Sequence, residues 1–143
     1  AGTRLFVRNL ADLFLREAHG SERVLVYGAG KGGELALREL RQNKELAKIA
    51  LAFIDDNPAR RGMTMMGLPI LGALEDVPTL VRTHEIKGIV VSTVKLSSGR
   101  QVALGALADA QGLHLYRMQI AVVRFDAPTD EPGGSQEVLR RLA

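Results

Sequence analysis

The sequence predicts an α/β fold: a doubly wound parallel sheet in three layers, α/β/α, with strand order 3-2-1-4-5. Two observations predict it. Short apolar runs at Val24–Val26, Ile49–Ile54 and Gly88–Thr93 alternate with segments of helical period. A glycine-rich turn, Gly28-Ala29-Gly30-Lys31-Gly32-Gly33, joins the first run to the helix that follows it.

The elements follow in order. Residues 3–19 read as a connector helix: Thr3 can cap it, and Leu5, Phe6, Leu10, Leu13 and Phe14 recur near helical spacing. Arg4 and Arg8 share one face of it. It reads as a helix packed on the domain or, as the alternative, a juxtamembrane helix with its arginines toward anionic headgroups. Gly20-Ser21 ends it, and Arg23–Tyr27 is the first strand. The next helix runs to about Asn43 and places Gly33, Ala36, Leu37 and Leu40 on one face. Ile49–Ile54 is a strand covered on both sides, closed by the turn cluster Asp55-Asp56-Asn57-Pro58. Residues 59–73 read as loop, with a short third strand at Pro69–Leu71. Asp76 is expected to cap a helix carrying Pro78 in its first turn, with Val77, Leu80, Val81 and His84 inward. After the strand Gly88–Thr93, Ser97 or Ser98 caps a helix with Ala103, Ala106, Leu107 and Ala110 inward, stopped by Gly112. Leu113–Met118 is the last sheet strand. Ile120–Phe125 is expected as an edge strand, followed by a linker-like Asp126–Gly134 and a short helix at 136–142. The organisation is thus a connector helix (1–20), a nucleotide-binding domain (21–118) and a C-terminal extension (119–143).

Composition narrows the function classes. A chain of 143 residues buries about two thirds of its unfolded surface on folding, enough for one core. It has no cysteine, which excludes a disulfide scaffold, a thiolate nucleophile and cysteine-ligated zinc. Its longest apolar run, Ile49–Ile54, is far short of the ~20 residues of a bilayer span. No signal peptide is expected, and a start at Ala1-Gly2 reads as part of a longer chain. The net charge of +3 is spread among 16 acidic residues, and aromatics are 4%, so no nucleic-acid partner is expected.

Gly28-x-Gly30-x-x-Gly33 carries the chemistry. Alone it is a weak signal; here a strand precedes it, a helix follows, and a second buried strand ends in an acid 22 residues beyond Gly33, close to the ~20 of a dinucleotide fingerprint. Gly28 turns the chain out of the strand, Gly30 lets a diphosphate approach the backbone, and Gly33 lets the helix pack on the sheet. Gly32 completes the turn. The helix N-terminus offers unpaired amides and about half a positive charge, and Lys31 a point charge. Asp55 is the candidate acceptor for a ribose diol and Asp56 the second. A carboxylate there repels a 2′-phosphate, so NAD is favoured, with NADP or a nucleotide-sugar as alternatives. Ser92 and Thr93 end the strand across the crevice and can reach ribose or phosphate; Lys95 is a weaker candidate. Arg60 and Arg61 read as solvent-facing, with phosphate contact as the alternative.

No catalytic or metal residue emerges. Tyr27 and Lys31 have Tyr-x-x-x-Lys spacing but span the glycine turn instead of one helix face. His19, His84 and His114 lack partners at metal-ligand spacing. After five strands about 25 residues remain, too few to present substrate to a nicotinamide.

The segments Arg23-Val-Leu-Val-Tyr-Gly-Ala-Gly-Lys-Gly-Gly33, Phe53-Ile-Asp-Asp-Asn-Pro58, Gly67-Leu-Pro-Ile-Leu-Gly72 and Ile89-Val-Val-Ser-Thr93 carry a resemblance. Over residues 21–118 the chain resembles the CoA-binding-like Rossmann domain of bacterial polysaccharide-biosynthesis membrane proteins. These include nucleoside-diphosphate-sugar epimerases/dehydratases of the capsule and O-antigen (lipopolysaccharide) type. A related domain is fused to polyprenyl-phosphate sugar-1-phosphate transferases. The resemblance implies a regulatory nucleotide-binding domain on the cytoplasmic face of the inner membrane, joined to membrane and catalytic regions of a longer chain. Catalytic domains of that family carry a second glycine-rich loop and a Tyr-x-x-x-Lys helix. Neither occurs here, so no activity is expected of this domain alone. The alternatives are the transferase-fused domain and a ligand-free dimerisation or docking module, with a homodimer as partner. A redox-sensing repressor core uses the same fold, but residues 1–20 are too short for its DNA-binding winged helix.

Overall fold

The computed structural model describes residues 20–92, 95–129 and 142. Four strands form a parallel sheet: β1 (Glu22–Tyr27), β2 (Lys48–Ile54), then β5 (Gly88–Val91) and β6 (His114–Arg117), in the order β2-β1-β5-β6. Between β2 and β5 lies a small antiparallel hairpin, β3 (Thr64–Met65) and β4 (Leu68–Pro69). The helices are α1 (Lys31–Gln42), α2 (Val77–His84) and α3 (Ser98–Gln111).

Strand alternation sorts the side chains into two layers. Leu25 and Tyr27 of β1, Ala52 and Ile54 of β2, and Ile89 and Val91 of β5 pack with Val77, Leu104 and Ala108 on the α2/α3 face. Val24, Val26, Phe53 and Val90 pack with Ala36, Leu37 and Leu40 on the α1 face. The doubly wound α/β/α fold is therefore as expected. The apolar face of α1 is the expected one, Gly33, Ala36, Leu37 and Leu40.

The expected third strand is reduced. Ile70 meets Phe53 in a single parallel bridge, and Leu71 N–H donates to the Phe53 carbonyl at 3.0 Å. The chain thus stands at the third position of the 3-2-1-4-5 order without extending a ladder. Residues 64–68, expected as loop, turn back with Pro69 as the hairpin, with Met66 and Gly67 both at positive φ (52° and 82°).

Other expectations need correction. Asp76 stands at the N-cap position of α2 as expected, but its carboxylate makes no cap hydrogen bond to that helix; it closes a 3-10 turn, Leu74–Asp76, and accepts the Ala73 N–H at 2.9 Å. Pro78 does sit in the first turn of α2. Val77, Leu80 and Val81 face inward, but His84 is exposed at the last residue of the helix, where its ring reaches past the core. On α3 the inward stripe is Leu104, Leu107 and Ala108, while Ala103, Ala106 and Ala110 are exposed. The larger leucines bury more apolar area than alanines, so they set the rotation of the helix. Ser97 is the cap, its Oγ accepting the Arg100 N–H at 3.2 Å, and Gly112 ends the helix at φ 65°. Ile120–Phe125 forms no edge strand: among the described residues the side chains of Ile120, Val122, Val123 and Phe125 are exposed and meet no layer to pack against. The connector segment 1–19 and the helix expected at 136–142 lie outside the described residues, apart from Gly20's flank and Leu142.

Candidate functional site

Parallel winding brings the carboxyl ends of β1, β2 and β5 to one edge of the sheet, with the winding reversing between β1 and β5. The glycine loop leaves β1 here. Gly28 lies at φ 104°, a conformation glycine adopts without steric cost, and its N–H donates to the Ile54 carbonyl at 2.8 Å. A Cβ on Gly33 would collide with the Gly28 carbonyl and crowd the Phe53 ring; one on Gly32 would collide with the Ser92 carbonyl. These two glycines let α1 press against the strand ends. Gly30, the N-cap of α1, is different: its Cβ position is open except for the Arg60 guanidinium at 3.4 Å. Within 4 Å of that position the space above the loop holds only this cation. The first-turn amides of α1 have no intrahelical acceptor and face the same end.

Asp55 is turned toward the loop. Its Oδ2 accepts the Ala29 N–H at 2.7 Å and Arg60 Nη1 at 2.9 Å, and its Oδ1 accepts the Asn57 N–H at 2.8 Å. Burial pushes this carboxyl up, but the Ala29 and Asn57 amides and the Arg60 guanidinium together hold it below the usual carboxylate value. A carboxylate offers about four acceptor sites, so about one stays free for a sugar hydroxyl. Arg61 faces water as expected while also reaching Asp76 at 3.5 Å; Arg60, expected to do the same, turns back to pair with Asp55. The Asn57-Pro58 turn bends the chain back through a 3-10 turn, Pro58–Arg60, and so returns Arg60 to the acid five residues before it.

Asp56 points to the other face. Its carboxylate accepts the Tyr27 hydroxyl and the Arg100 guanidinium, with Nε of Arg100 at 3.1 Å. Arg100 also donates to Glu75 at 2.8 Å. Burial followed by the Asp56 hydrogen bond pushes the Tyr27 phenol up to about 12. Burial raises the Asp56 carboxyl, yet Arg100 and Tyr27 outweigh it and hold the group low. This network spans the ends of β1 and β2 and the first turn of α3. Sequence reasoning missed it. Strand parity places Tyr27 with Leu25 on the α2/α3 face, a signal that was present; nothing local ties Arg100 to an acid 44 residues away.

Ser92 is buried at 6% exposure, and its hydroxyl donates to the Tyr27 carbonyl at 2.8 Å with the Gly28 carbonyl at 3.0 Å as second acceptor. It clasps the root of the glycine loop. Lys31 is exposed and lies 3.9 Å from Glu34; Lys95 is exposed too. Thr93 lies outside the described residues. His84 and His114 are exposed, and among the described residues no cluster of metal-ligating side chains forms. The structure thus brings Gly28, Gly30, Gly32, Gly33, Asp55 and Ser92 to one place, with Arg60 among them, and sends Asp56 to the opposite face.

A family model described as the CoA-binding domain matches residues 1–104. The chain belongs to that family. The capsular polysaccharide biosynthesis protein CapD of Staphylococcus aureus is 30% identical over 118 residues, 82% of this chain and 20% of that protein. This CoA-binding-family domain therefore spans about a fifth of the length of that relative. Among solved structures, UDP-D-quinovosamine 4-dehydrogenase from Vibrio fischeri is 26% identical, with a TM-score of 0.60 over 69% of this chain and 79% of that one. RSP in complex with β-NADH shares the fold at 13% identity, with a TM-score of 0.57 over 97% of this chain and 67% of that one. The expected family, and with it the Rossmann-like fold, is confirmed.

Proposed function

We propose that this domain binds a nucleotide at the β1/β5 crevice, with its diphosphate on the glycine loop, and serves a polysaccharide-biosynthesis protein of the nucleoside-diphosphate-sugar epimerase/dehydratase type. One observation carries the reading: the Cβ-free face of Gly30 at the start of α1 opens onto a guanidinium 3.4 Å away. A bare backbone, free amides and a fixed cation together match a diphosphate in shape and charge. Ala29, Gly30 and the first turn of α1 would hold it, Arg60 would neutralise it, and Asp55 would take a ribose hydroxyl with its free acceptor site. The ligand is NAD or a nucleotide-sugar. NADH in RSP and the dehydrogenase from Vibrio fischeri support a nucleotide in this fold. Bound NAD would supply hydride chemistry only beside a substrate-presenting region, so the domain acts in regulation or positioning. The likeness to CapD supports a role in capsule-type synthesis, and the Arg-bearing segment 4–16 supports a place on the cytoplasmic face of a membrane.

A second reading has its own observation. Three donors already occupy Asp55, so the acid has a structural task without any ligand. On that reading the crevice is closed by its own side chains and the domain docks or dimerises. Calorimetry with NAD, NADP, coenzyme A and UDP-sugars separates the two. Saturable heat with at least one of them, lost in Gly30→Val, supports the first; no heat with any at millimolar concentration overturns it in favour of the second.

A further inference from the structure

A carboxylate has about four acceptor sites, about two on each oxygen. On Asp55 they fill unevenly. Oδ2 is full, taking the Ala29 N–H at 2.7 Å and Arg60 Nη1 at 2.9 Å. Oδ1 takes the Asn57 N–H at 2.8 Å and keeps about one site. A single hydroxyl can be added there. The two neighbouring hydroxyls of a ribose cannot both be added unless a donor leaves Oδ2.

The donors differ in their freedom to leave. The Ala29 and Asn57 N–H groups are backbone. Ala29 sits in the glycine loop, whose root is fixed by the Gly28 N–H on the Ile54 carbonyl at 2.8 Å and by the Ser92 hydroxyl. Arg60 reaches the acid with a long side chain. Its backbone is pinned, with its N–H on the Asn57 carbonyl at 3.1 Å and its carbonyl accepting the Met63 N–H at 3.0 Å. Only the side chain is left to swing. That side chain is 40% exposed, and an ion pair this open to water is weakly held. The guanidinium already stands 3.4 Å from the Cβ position of Gly30, at the start of α1.

We propose that Arg60 changes partner when a ribonucleotide binds. The ribose diol takes both oxygens of Asp55, the guanidinium leaves Oδ2, and it turns onto the diphosphate at Gly30. This exchange rests on the nucleotide site proposed above and gives it a selectivity of its own. Free phosphate and pyrophosphate bring no hydroxyl, so they must draw Arg60 away from an acid that is left charged and short of a donor. A nucleotide with an intact diol supplies the replacement donors itself. The pair therefore makes the sugar and diphosphate positions cooperate, and it holds the cation back from inorganic phosphates.

Arg60→Ala tests this in the whole chain. NAD and UDP-glucose are titrated by calorimetry, and pyrophosphate by phosphorus NMR, which follows millimolar binding. The substitution should weaken the nucleotide about tenfold but pyrophosphate less than about twofold. In the Asp55→Asn background the cation is released, so pyrophosphate should bind several-fold more tightly, and adding Arg60→Ala should then cost it about fivefold or more. Equal losses for nucleotide and pyrophosphate with Asp55 in place show an arginine free to serve any phosphate; they overturn the exchange and leave the nucleotide site standing. Binding of NADP or coenzyme A alone does the same, because a phosphate replaces one hydroxyl of the adenosine ribose in each. If no nucleotide binds the wild-type chain, the site and the exchange fall together. If pyrophosphate is too weak to follow in the wild type, its failure to appear in Asp55→Asn overturns the exchange. If Asp55→Asn loses its folded circular dichroism, the Arg60→Ala comparison decides alone.

Discussion

Asp55 and Arg60 form an ion pair of 2.9 Å that lies directly beside the glycine loop, with the acid also holding the Ala29 N–H at 2.7 Å. The pair neutralises the carboxylate that would otherwise repel phosphate. It also parks a cation over Gly30, whose side-chain position, unlike those of Gly32 and Gly33, meets no backbone. By pairing with Asp55, Arg60 partly cancels the repulsion that the carboxylate would exert on a 2′-phosphate, so the site discriminates less between NAD and NADP than an unpaired acid would.

Arg60→Ala should weaken nucleotide binding about tenfold, the loss of one charge-assisted hydrogen bond. Titration calorimetry at two salt concentrations checks it. The wild-type affinity should fall more steeply with salt than that of the variant. An unchanged or tighter affinity would mean that Arg60 blocks the seat.

The glycines should separate by role. Gly33→Ala drives a methyl into the Gly28 carbonyl and the Phe53 ring, so it should cost about 3 kcal/mol or more. Gly30→Ala meets only the outer end of the Arg60 side chain, at ordinary contact distance, and should change stability by less than about 1 kcal/mol. Urea unfolding of the two variants measures this, and equal costs would contradict the packing described.

Acid stability should depend on Asp55. Its carboxyl titrates below the ordinary 3.8 in the fold because the Ala29, Asn57 and Arg60 hydrogen bonds outweigh its burial. The unfolded chain therefore binds the proton first as pH falls. The stabilisation is complete above the unfolded value and disappears as pH drops through the folded one. Between about pH 5 and pH 2, Asp55→Asn should lose less stability than wild type. Thermal unfolding across that range tests the sign.

Tyr27 gives the opposite dependence at the alkaline end. Its phenol is pushed from 10.0 to about 12, so the unfolded chain ionises first as pH rises. Stability from this group is present below pH 10 and declines toward pH 12. In Tyr27→Phe that part of the decline should vanish, while stability at pH 7 drops by about 1 kcal/mol for the lost hydrogen bond to Asp56. Alkaline titration followed by circular dichroism is the check.

Ser92→Ala should cost about 1–2 kcal/mol, since its buried hydroxyl is the clasp between β5 and the carbonyls of Tyr27 and Gly28. Ligand affinity should fall with it if the loop loosens. A stability loss with unaltered affinity would show that the loop holds its shape from Gly32 and Gly33 packing alone.

Much of the fold was legible because its signals are local. A strand, a glycine turn and the helix face Gly33, Ala36, Leu37 and Leu40 lie within 19 residues of one another. Hydrophobic period and turn chemistry act at that range. On α3 the reading held for Leu107 and failed for Ala103, Ala106 and Ala110, because its alanines and leucines form two overlapping stripes and only packing on the sheet chooses between them. The edge strand at Ile120–Phe125 was misread because an apolar run states a preference for burial without stating whether a surface is there to receive it.

The sequence by itself determined the order of elements, the parallel sheet and the placement of Gly28, Gly30, Gly33 and Asp55 at one crevice, since topology brings strand ends together once the strands are known. Only the tertiary structure decided where the side chains spend their charges: Asp55 on Ala29 and Arg60, Asp56 on Tyr27 and Arg100. Adjacent carboxylates at the end of a strand point to opposite faces, and which cation meets each one depends on distances through space that spacing along the chain does not encode.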